Sequence, residues 1–276
     1  MRLRLPTLRR GLLLGGALVG VILVAAALAG WLAPFDPIKN NYRYRLGEPN
    51  QVYWLGTDRF GRDVLSRMLF GARVSLRIGL LVALGSGLAG GAVGLVAGWW
   101  RRLDAWLMRA MDGLMAFPGI LLAITLAATL GPSEANAIIA LTIATAPRTA
   151  RVTRGAVLVA RAQDYVEAAR AVGAGTPRLL LRHVLPACAA PLVVQQTYIF
   201  AVAVLAEAVL SFIGVGPPPP TATLGSIIAD GRDVIVEAPW VTLFPGLVIS
   251  ALVLGLNLLG DGLRDALDPR MRQMMR

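Results

Sequence analysis

Residues 78–100 read IGLLVALGSGLAGGAVGLVAGWW, without a single Asp, Glu, Lys or Arg. A helix needs about 20 consecutive apolar residues to cross the hydrocarbon core of a bilayer. The stretch meets that length and is closed by Arg101 and Arg102, so it predicts a membrane-spanning helix. Several of its glycines recur four residues apart, which favours close approach of another helix. Either this helix packs tightly within one subunit, or it slides or dimerises against a second chain.

Five more segments without acidic or basic side chains (Asp, Glu, Lys or Arg) lie outside this stretch and predict five further spans. The six predicted spans are Gly11–Ala33, Ile78–Trp100, Gly113–Ser133, Ala135–Pro147, His183–Ala206 and Ala238–Gly260. The fourth is short, and we expect it to continue as a helix through Thr149 and Val152. The pattern predicts an all-α integral membrane protein with six transmembrane helices.

The composition supports this class and excludes others. Hydrophobic residues make up 56% of the chain and charged residues 16%, against roughly 45–50% and 25% in soluble domains. The net charge of +11 does not indicate nucleic-acid binding, because the basic residues lie between long apolar runs and not on one face. The single Cys188 cannot form an intramolecular disulfide, and one Cys with one His predicts no Cys/His metal site.

The first span could be a secretory signal peptide, because Ala27-Leu28-Ala29 resembles a cleavage site. It is longer than the 7–15 residues of a signal-peptide apolar region, so we expect an uncleaved anchor. Placing both termini in the cytoplasm puts 18 of the 27 basic residues on the cytoplasmic side, as the positive-inside rule requires. The outer segment 36–77 departs from the rule with 8 basic residues.

No energy source of its own is evident in the chain. It lacks a Walker phosphate loop, its one Lys is Lys39, and no catalytic triad or paired carboxylates appear within the spans. The acidic candidates Asp112, Glu207 and Asp261 lie at span ends. His183, the only His, is either a proton site or a structural residue. We therefore predict a protein that is not an enzyme, holds no cofactor and receives its energy from a partner.

The segment 148–182 is the most informative one on the predicted inner side. Arg161 to Val172 predicts a helix, Gly173 and Gly175 interrupt it, and Thr176-Pro177 restarts it with Thr as the N-cap. A helix this short is not stable alone and has to pack against a surface. That surface is either a protein partner or anionic lipid.

One spacing in this segment resembles a known family. Glu167-Ala168-Ala169, then Gly173, His183 and Leu185-Pro186 are similar to the EAA loop of bacterial ABC importer permeases. The resemblance implies that this loop, at about residues 161–186, holds the coupling helix that sits in a groove of a cytoplasmic ATPase. Ala187 departs from the Asn common after Leu-Pro in the peptide branch.

Three further segments narrow the branch to the C-type dipeptide, oligopeptide and nickel permeases. Residues 54–63 (WLGTDRFGRD) and 207–216 (EAVLSFIGVG) resemble its outer motifs, and residues 257–265 its C-terminal ending. The outer motif residues are Gly56, Thr57, Asp58, Gly61, Arg62, Asp63, Glu207, Ser211 and Gly214. Leu224 departs from the family's usual Trp.

The outer motifs also carry predictions from the residues alone. Asp58 and Asp63 could bind arginines of a docking protein, although pairing with Arg59, Arg62 or Arg67 is the simpler interpretation. The run Pro217–Pro220 predicts a stiff extended stretch that ends the fifth helix. Asp268-Pro269 is expected to end the last helix.

The resemblance implies a type I ABC importer permease fold. It divides the chain into residues 1–73 (tail, first helix and outer segment), a core permease domain at 74–270, and a cytoplasmic tail at 271–276. The implied partners are a second homologous permease, two ABC ATPases that bind ATP and Mg²⁺, an extracytoplasmic solute-binding protein and the lipid bilayer, in a bacterial inner membrane. The implied cargo is a di- or oligopeptide. A nickel or other small-solute importer, a non-transporting scaffold and an ATP-independent carrier remain as alternatives.

Overall fold

The computed structural model describes residues 5–267, with side chains from residue 11 onward, and this part of the chain is almost entirely helical. Its main helices are α1 Leu5–Ala27, α2 Val64–Trp99, α3 Arg101–Met115, α4 Gly119–Leu130, α5 Glu134–Arg161, α6 Asp164–Ala171, α7 Leu185–Ile213, α8 Leu224–Gly231 and α9 Trp240–Leu267. Between residues 5 and 267 there is no strand, only one isolated bridge between Thr57 and Asp63. The all-α prediction is confirmed. The predicted tail 271–276 and the helix end at Asp268-Pro269 lie outside the described residues.

Helices cover all six predicted spans, but with different bounds. α2, α9 and the continuous helical stretch Thr176–Ile213 are each long and apolar enough to cross a membrane. The bent pair of α3 and α4 makes a fourth crossing if the two helices count as one span. The described apolar part of α1, Gly11–Ala27, is shorter. α5 covers the fourth predicted span. The count of six crossings stays a prediction.

The third predicted span, Gly113–Ser133, is not one helix. α3 stops at Met115 and α4 starts after Pro118, at an angle of 85° to it. Pro118 has extended backbone angles (φ −55°, ψ 122°), as expected where proline removes a backbone donor and restrains the residue before it. α3 carries Arg and Asp side chains along its length and is not an apolar helix.

The fourth span continues as a helix through Thr149, Val152 and beyond, as predicted. α5 contains Pro147 and runs on to Arg161. Residues 148–161, counted above as part of an inner segment, are therefore helical. Arg148, Arg151 and Arg154 belong to this helix.

The glycines of α2 pack within the subunit. A Cβ atom at Gly90 or Gly94 would collide with backbone oxygens of α5, and one at Gly98 would lie 2.6 Å from Cβ of Val157. Gly79 faces Phe200 of α7 in the same way. Tight packing inside one chain is thus confirmed for these faces, and it needs no sliding or dimerising helix.

The core lies between α2, α5, α7 and α9, and α1 packs along α9. Residues 34–63 form a compact irregular segment at one end of this bundle, and α6 lies at the other. α2 begins at Val64, well before the predicted start at Ile78, because Asp63 caps it by accepting a hydrogen bond from the Ser66 backbone (2.8 Å). The helix runs unbroken through residues 73 and 74, so no structural break marks the domain boundary predicted there.

Candidate functional site

The first candidate surface is α6, which follows α5 after a two-residue break. Gln163 is extended and opens the helix, and Asp164 and Glu167 occupy its first turn, where the helix dipole favours acids. Val166 is fully buried against a small apolar cluster with Val157. The other face is exposed and carries Glu167, Ala168, Arg170 and Ala171. The predicted single helix from Arg161 to Val172 is therefore wrong, since the chain breaks at 162–163.

Gly173 ends α6 in a Schellman motif. Its backbone N–H donates to the Arg170 carbonyl (3.0 Å), and the Ala174 N–H donates to the Ala169 carbonyl (3.0 Å). Gly173 has a φ of +88°, which L side chains rarely adopt. Ala169 and Ala174 both pack against the Val166 cluster. The motif thus fixes the direction in which the chain leaves α6.

Two arginines hold this region to the end of α2. Arg161 Nη1 donates to the Gly98 carbonyl at 2.7 Å, which satisfies an oxygen at the helix C-terminus. The Arg170 guanidinium carbon lies 5.7 Å from the ring centre of Trp99. A concave surface of about 690 Å³ opens beside them, with Glu167 and Thr176 on its wall.

The rest of the predicted coupling segment follows directly. Gly175, not Thr176, is the N-cap of the next turn, one residue earlier than predicted. A π-helical turn, Leu179–Val184, then leads into α7, where Pro186 in the first turn lacks a backbone donor. His183 is half-buried, with its ring 6.4 Å from that of Tyr165 on α6. The structure thus brings His183 close to α6, and it places Leu185 and Pro186 exposed at the base of α7.

A second candidate site is a buried ion cluster at the opposite end of the bundle. Asp58 is completely buried and accepts hydrogen bonds from Arg62 Nε (2.7 Å) and Arg67 Nη1 (2.5 Å). Asp230 of α8 accepts from Arg59 (3.0 Å), Arg62 (2.9 Å) and Arg67 (3.1 Å). The predicted pairing of Asp58 with neighbouring arginines is confirmed. Binding of a docking protein by Asp58 is excluded by its burial.

The remaining residues of this motif shape the backbone. Gly56 and Gly61 both have a φ of +73°, and a Cβ at Gly61 would overlap the Asn41 carbonyl. Thr57 accepts from the Gly47 N–H (2.8 Å), and its own carbonyl accepts from the Trp240 indole (3.2 Å). Asp63 is the α2 cap described above, paired with Ser66 and not with an arginine. These residues build a scaffold.

The third predicted motif centres on Glu207. It lies nearly two turns inside α7, not at the span end as predicted, because α7 continues to Ile213. Glu207 is fully buried and accepts hydrogen bonds from the hydroxyls of Ser75 and Ser211, both at 2.6 Å. It therefore joins α7 to α2.

Gly214 ends α7, with a φ of +92°. It does so before the run Pro217–Pro220, which forms bends and a turn. The predictions that the prolines end this helix and form a uniform extended stretch are therefore wrong.

Sequence reasoning missed several partners. Asp230 completes the ion cluster from far along the chain, and no local pattern pointed to it. Asp104 of α3 forms a bidentate ion pair with Arg154 (2.5 and 2.6 Å), an arginine that the charge pattern places in the inner segment 148–182. Arg148 lies in the same segment, and the sequence did not predict its position inside a helix. Among residues 11–267, no group of three or more His, Cys, Asp or Glu side chains is placed to hold a metal ion.

Comparison with known proteins gives a consistent result. The sequence model of the family described as binding-protein-dependent transport system inner membrane component matches residues 90–273. A Brucella suis protein, provisionally named a peptide transport system permease, is 52% identical over 96% of this chain and 89% of its own length. The di/tripeptide transport system permease of Pseudomonas aeruginosa is 45% identical over 94% and 88%. A glutathione transport system permease of Escherichia coli is 42% identical over 91% and 84%.

The fold also has a counterpart among solved structures. A chain from the crystal structure of an amino acid ABC transporter with histidines superposes with a TM-score of 0.57. It covers 73% of this chain and 94% of its own, at 16% sequence identity. At that identity the match supports the fold alone.

Proposed function

The chain belongs to the family of binding-protein-dependent transport system inner membrane components, and we propose that it is the permease subunit of an ATP-driven importer of di- or oligopeptides. It is a multi-pass membrane protein of the ABC permease class. Relatives named for peptide, dipeptide and glutathione transport cover most of its length. They favour a peptide over nickel or another small solute.

The exposed face of α6 is the observation that carries the mechanism. Val166 and the Schellman turn fix one side of the helix to the bundle, while Glu167, Ala168 and Ala171 stay exposed. A short helix held in this way can transmit force from a partner to α5 and α7. We assign Glu167, Ala168, Ala169, Gly173, His183, Leu185 and Pro186 to this ATPase-coupling segment.

The transport cycle is alternating access. ATP binding closes two partner ATPases, which carry ATP and Mg²⁺, and α6 moves with them. The buried ion cluster of Asp58 and Asp230 ties residues 58–67 to α8, so this end of the bundle moves as one body. ATP drives the change because it binds the two states with different affinity.

We propose two further partners, which membership of this family supports. A second homologous permease would complete the pathway, and an extracytoplasmic binding protein would deliver the peptide to the end that holds residues 34–63. The chain would lie in the bacterial inner membrane with both termini in the cytoplasm, which places α6 on the ATPase side. Since a peptide's backbone and termini are common to all cargoes, side-chain selection would rest with the binding protein.

Purification of the tagged chain from its native membrane in mild detergent tests this assembly. We expect mass spectrometry to identify a second permease and P-loop ATPases in the same complex. Recovery of the chain alone, while a known ABC complex in the same preparation stays intact, would contradict the proposal and favour a scaffold or stand-alone carrier.

Reversal of charge at Glu167 tests the coupling surface. In proteoliposomes of the whole complex, we expect Glu167→Lys to abolish ATP-dependent peptide uptake, with the subunit still inserted and assembled. The matched control is Glu237→Lys, the same charge change at an exposed acid near the opposite end, and it should transport normally. Normal uptake by Glu167→Lys would refute the assignment of α6.

A further inference from the structure

Three arginines follow one another at three-residue intervals on α5. Arg154 forms the bidentate pair with Asp104, and Arg151 donates to Asp112 at 2.7 Å. These two charges are each balanced by a carboxylate of α3. Arg148 has no carboxylate within ion-pair distance among residues 11–267, whose side chains the structure describes.

The one hydrogen bond of Arg148 goes to a neutral group. Its Nη1 donates to the Tyr198 hydroxyl of α7 at 3.3 Å. A guanidinium has five N–H donors, so most of them stay available, and the positive charge stays unbalanced. The side chain is exposed.

Two observations favour a position of Arg148 at membrane depth. At 1.5 Å per residue it is about 21 Å along α5 from Glu134, so a bilayer edge at Glu134 leaves Arg148 inside the roughly 30 Å of a hydrocarbon core. Its neighbour Thr149 is hydrogen-bonded to Ser86, at 2.8 Å, in the middle of the charge-free part of α2. Contact of an exposed arginine with lipid at this depth costs free energy. Its position therefore indicates a surface that faces water or another protein.

Arg148 lies on the wall of a cleft of about 500 Å³ between the α3–α4 bend, α5 and α7. Arg148 is the only charged residue of its wall, beside Thr145. The rest of the wall is apolar and includes Met115, Phe117, Pro118, Ile120, Leu205 and Val209. The cleft thus combines one cation with a large apolar surface, a pattern typical of a site for an amphipathic anion.

We propose that Arg148 contacts the substrate in the translocation pathway and binds its anionic group, which in a peptide is the C-terminal carboxylate. The planar guanidinium matches a carboxylate with two parallel hydrogen bonds. The Tyr198 hydroxyl orients the guanidinium, and the apolar wall accepts the cargo's side chains. This inference rests on the proposed function, because it takes a peptide as the cargo.

Chemical labelling tests whether Arg148 faces water. Cys188 is the only thiol of the chain and is fully buried, so an introduced cysteine can be followed by the mass of this subunit within the purified complex. We expect Arg148→Cys to react with a charged methanethiosulfonate reagent. Leu88→Cys, at an exposed apolar position near the same depth on α2, should not react. An unreactive Cys at 148 would overturn the proposal.

A transport assay then tests whether Arg148 binds the C-terminal carboxylate of the peptide. Proteoliposomes of the complex receive two peptides that the binding protein holds equally well, one with a free C-terminus and one with a C-terminal amide. We expect Arg148→Gln to lower uptake of the free acid by about tenfold or more, the loss for one charge-assisted hydrogen bond. Uptake of the amide should be unchanged, and Arg148→Lys should restore part of the loss.

The outcomes separate the two proposals. Equal effects of Arg148→Gln on acid and amide, or no effect on either, would overturn the carboxylate site and leave the importer intact. Absence of ATP-dependent uptake by the wild-type complex would instead overturn the proposed function. Arg151→Gln is the control on the same helix, since that charge is already paired, and it should not discriminate between the two peptides.

Discussion

Replacing Gly173 should uncouple transport in proportion to the backbone strain it introduces. Its φ of +88° costs an L residue roughly 1–2 kcal/mol. Nothing lies within 4 Å of a Cβ built there, so this strain is the whole cost for alanine. A penalty of that size changes the population of the native turn by a factor of about 5–30. Gly173→Pro should do more, because proline fixes φ near −65° and removes the N–H that bonds to Arg170.

The assay is ATP-dependent peptide uptake by the whole complex in proteoliposomes, beside its ATPase rate and subunit stoichiometry. We expect partial loss of uptake with Gly173→Ala and near-complete loss with Gly173→Pro, with the subunits still assembled. Gly175→Ala is the control in the same loop, because Gly175 has a φ of −68° and the nearest atom to its Cβ is 3.9 Å away. Equal damage from Gly175→Ala, or normal uptake by Gly173→Pro, would refute the reasoning.

Two further predictions concern the buried polar groups. Asp230→Ala should lower the melting temperature of the purified complex, because the largely buried Arg62 and Arg67 each lose one of two carboxylate partners, a loss of about 1–3 kcal/mol. Asp233→Ala, at an exposed acid nearby, should leave it almost unchanged. Glu207→Ala should cost about 1–3 kcal/mol, since the hydroxyls of Ser75 and Ser211 lose their acceptor, and Glu207→Gln, which keeps one, should cost less. Unfolding curves that do not distinguish the members of each pair would contradict these assignments.

Long apolar runs made the class of protein and the approximate place of each helix predictable. The runs do not reveal where a helix bends, and a comparison of Pro118 with Pro147 illustrates why. Pro118 breaks the chain into α3 and α4, whereas Pro147 stays inside α5, buried against its neighbours. Proline removes one hydrogen bond in both places, and tertiary packing decides whether the helix survives.

Local sequence likewise predicted the ion-pair partners that are close in the chain, but not those that are distant. The pairing of Asp58 with Arg62 and Arg67 follows from their closeness in the chain. Asp230 is separated from Arg67 by 163 residues, and its role depends on how α8 packs. The sequence pattern does not single out Arg148, because a charge marks the end of an apolar run, whereas a helix interior can hold a charge that faces a cleft.

The ion cluster also sets an order of events during synthesis. Arg62 and Arg67 are made together with one carboxylate partner, Asp58. The partner of Arg59, which is also the second partner of Arg62 and Arg67, is Asp230, and it is made much later. At about 5–20 residues per second, the 163 residues from Arg67 to Asp230 take roughly 8–33 s. During that interval Arg59 lacks its partner Asp230, and Arg62 and Arg67 share Asp58 alone. Completion of the cluster therefore requires that α8 has been made and has docked against residues 58–67, so the three arginines reach their full set of carboxylate partners only late in synthesis.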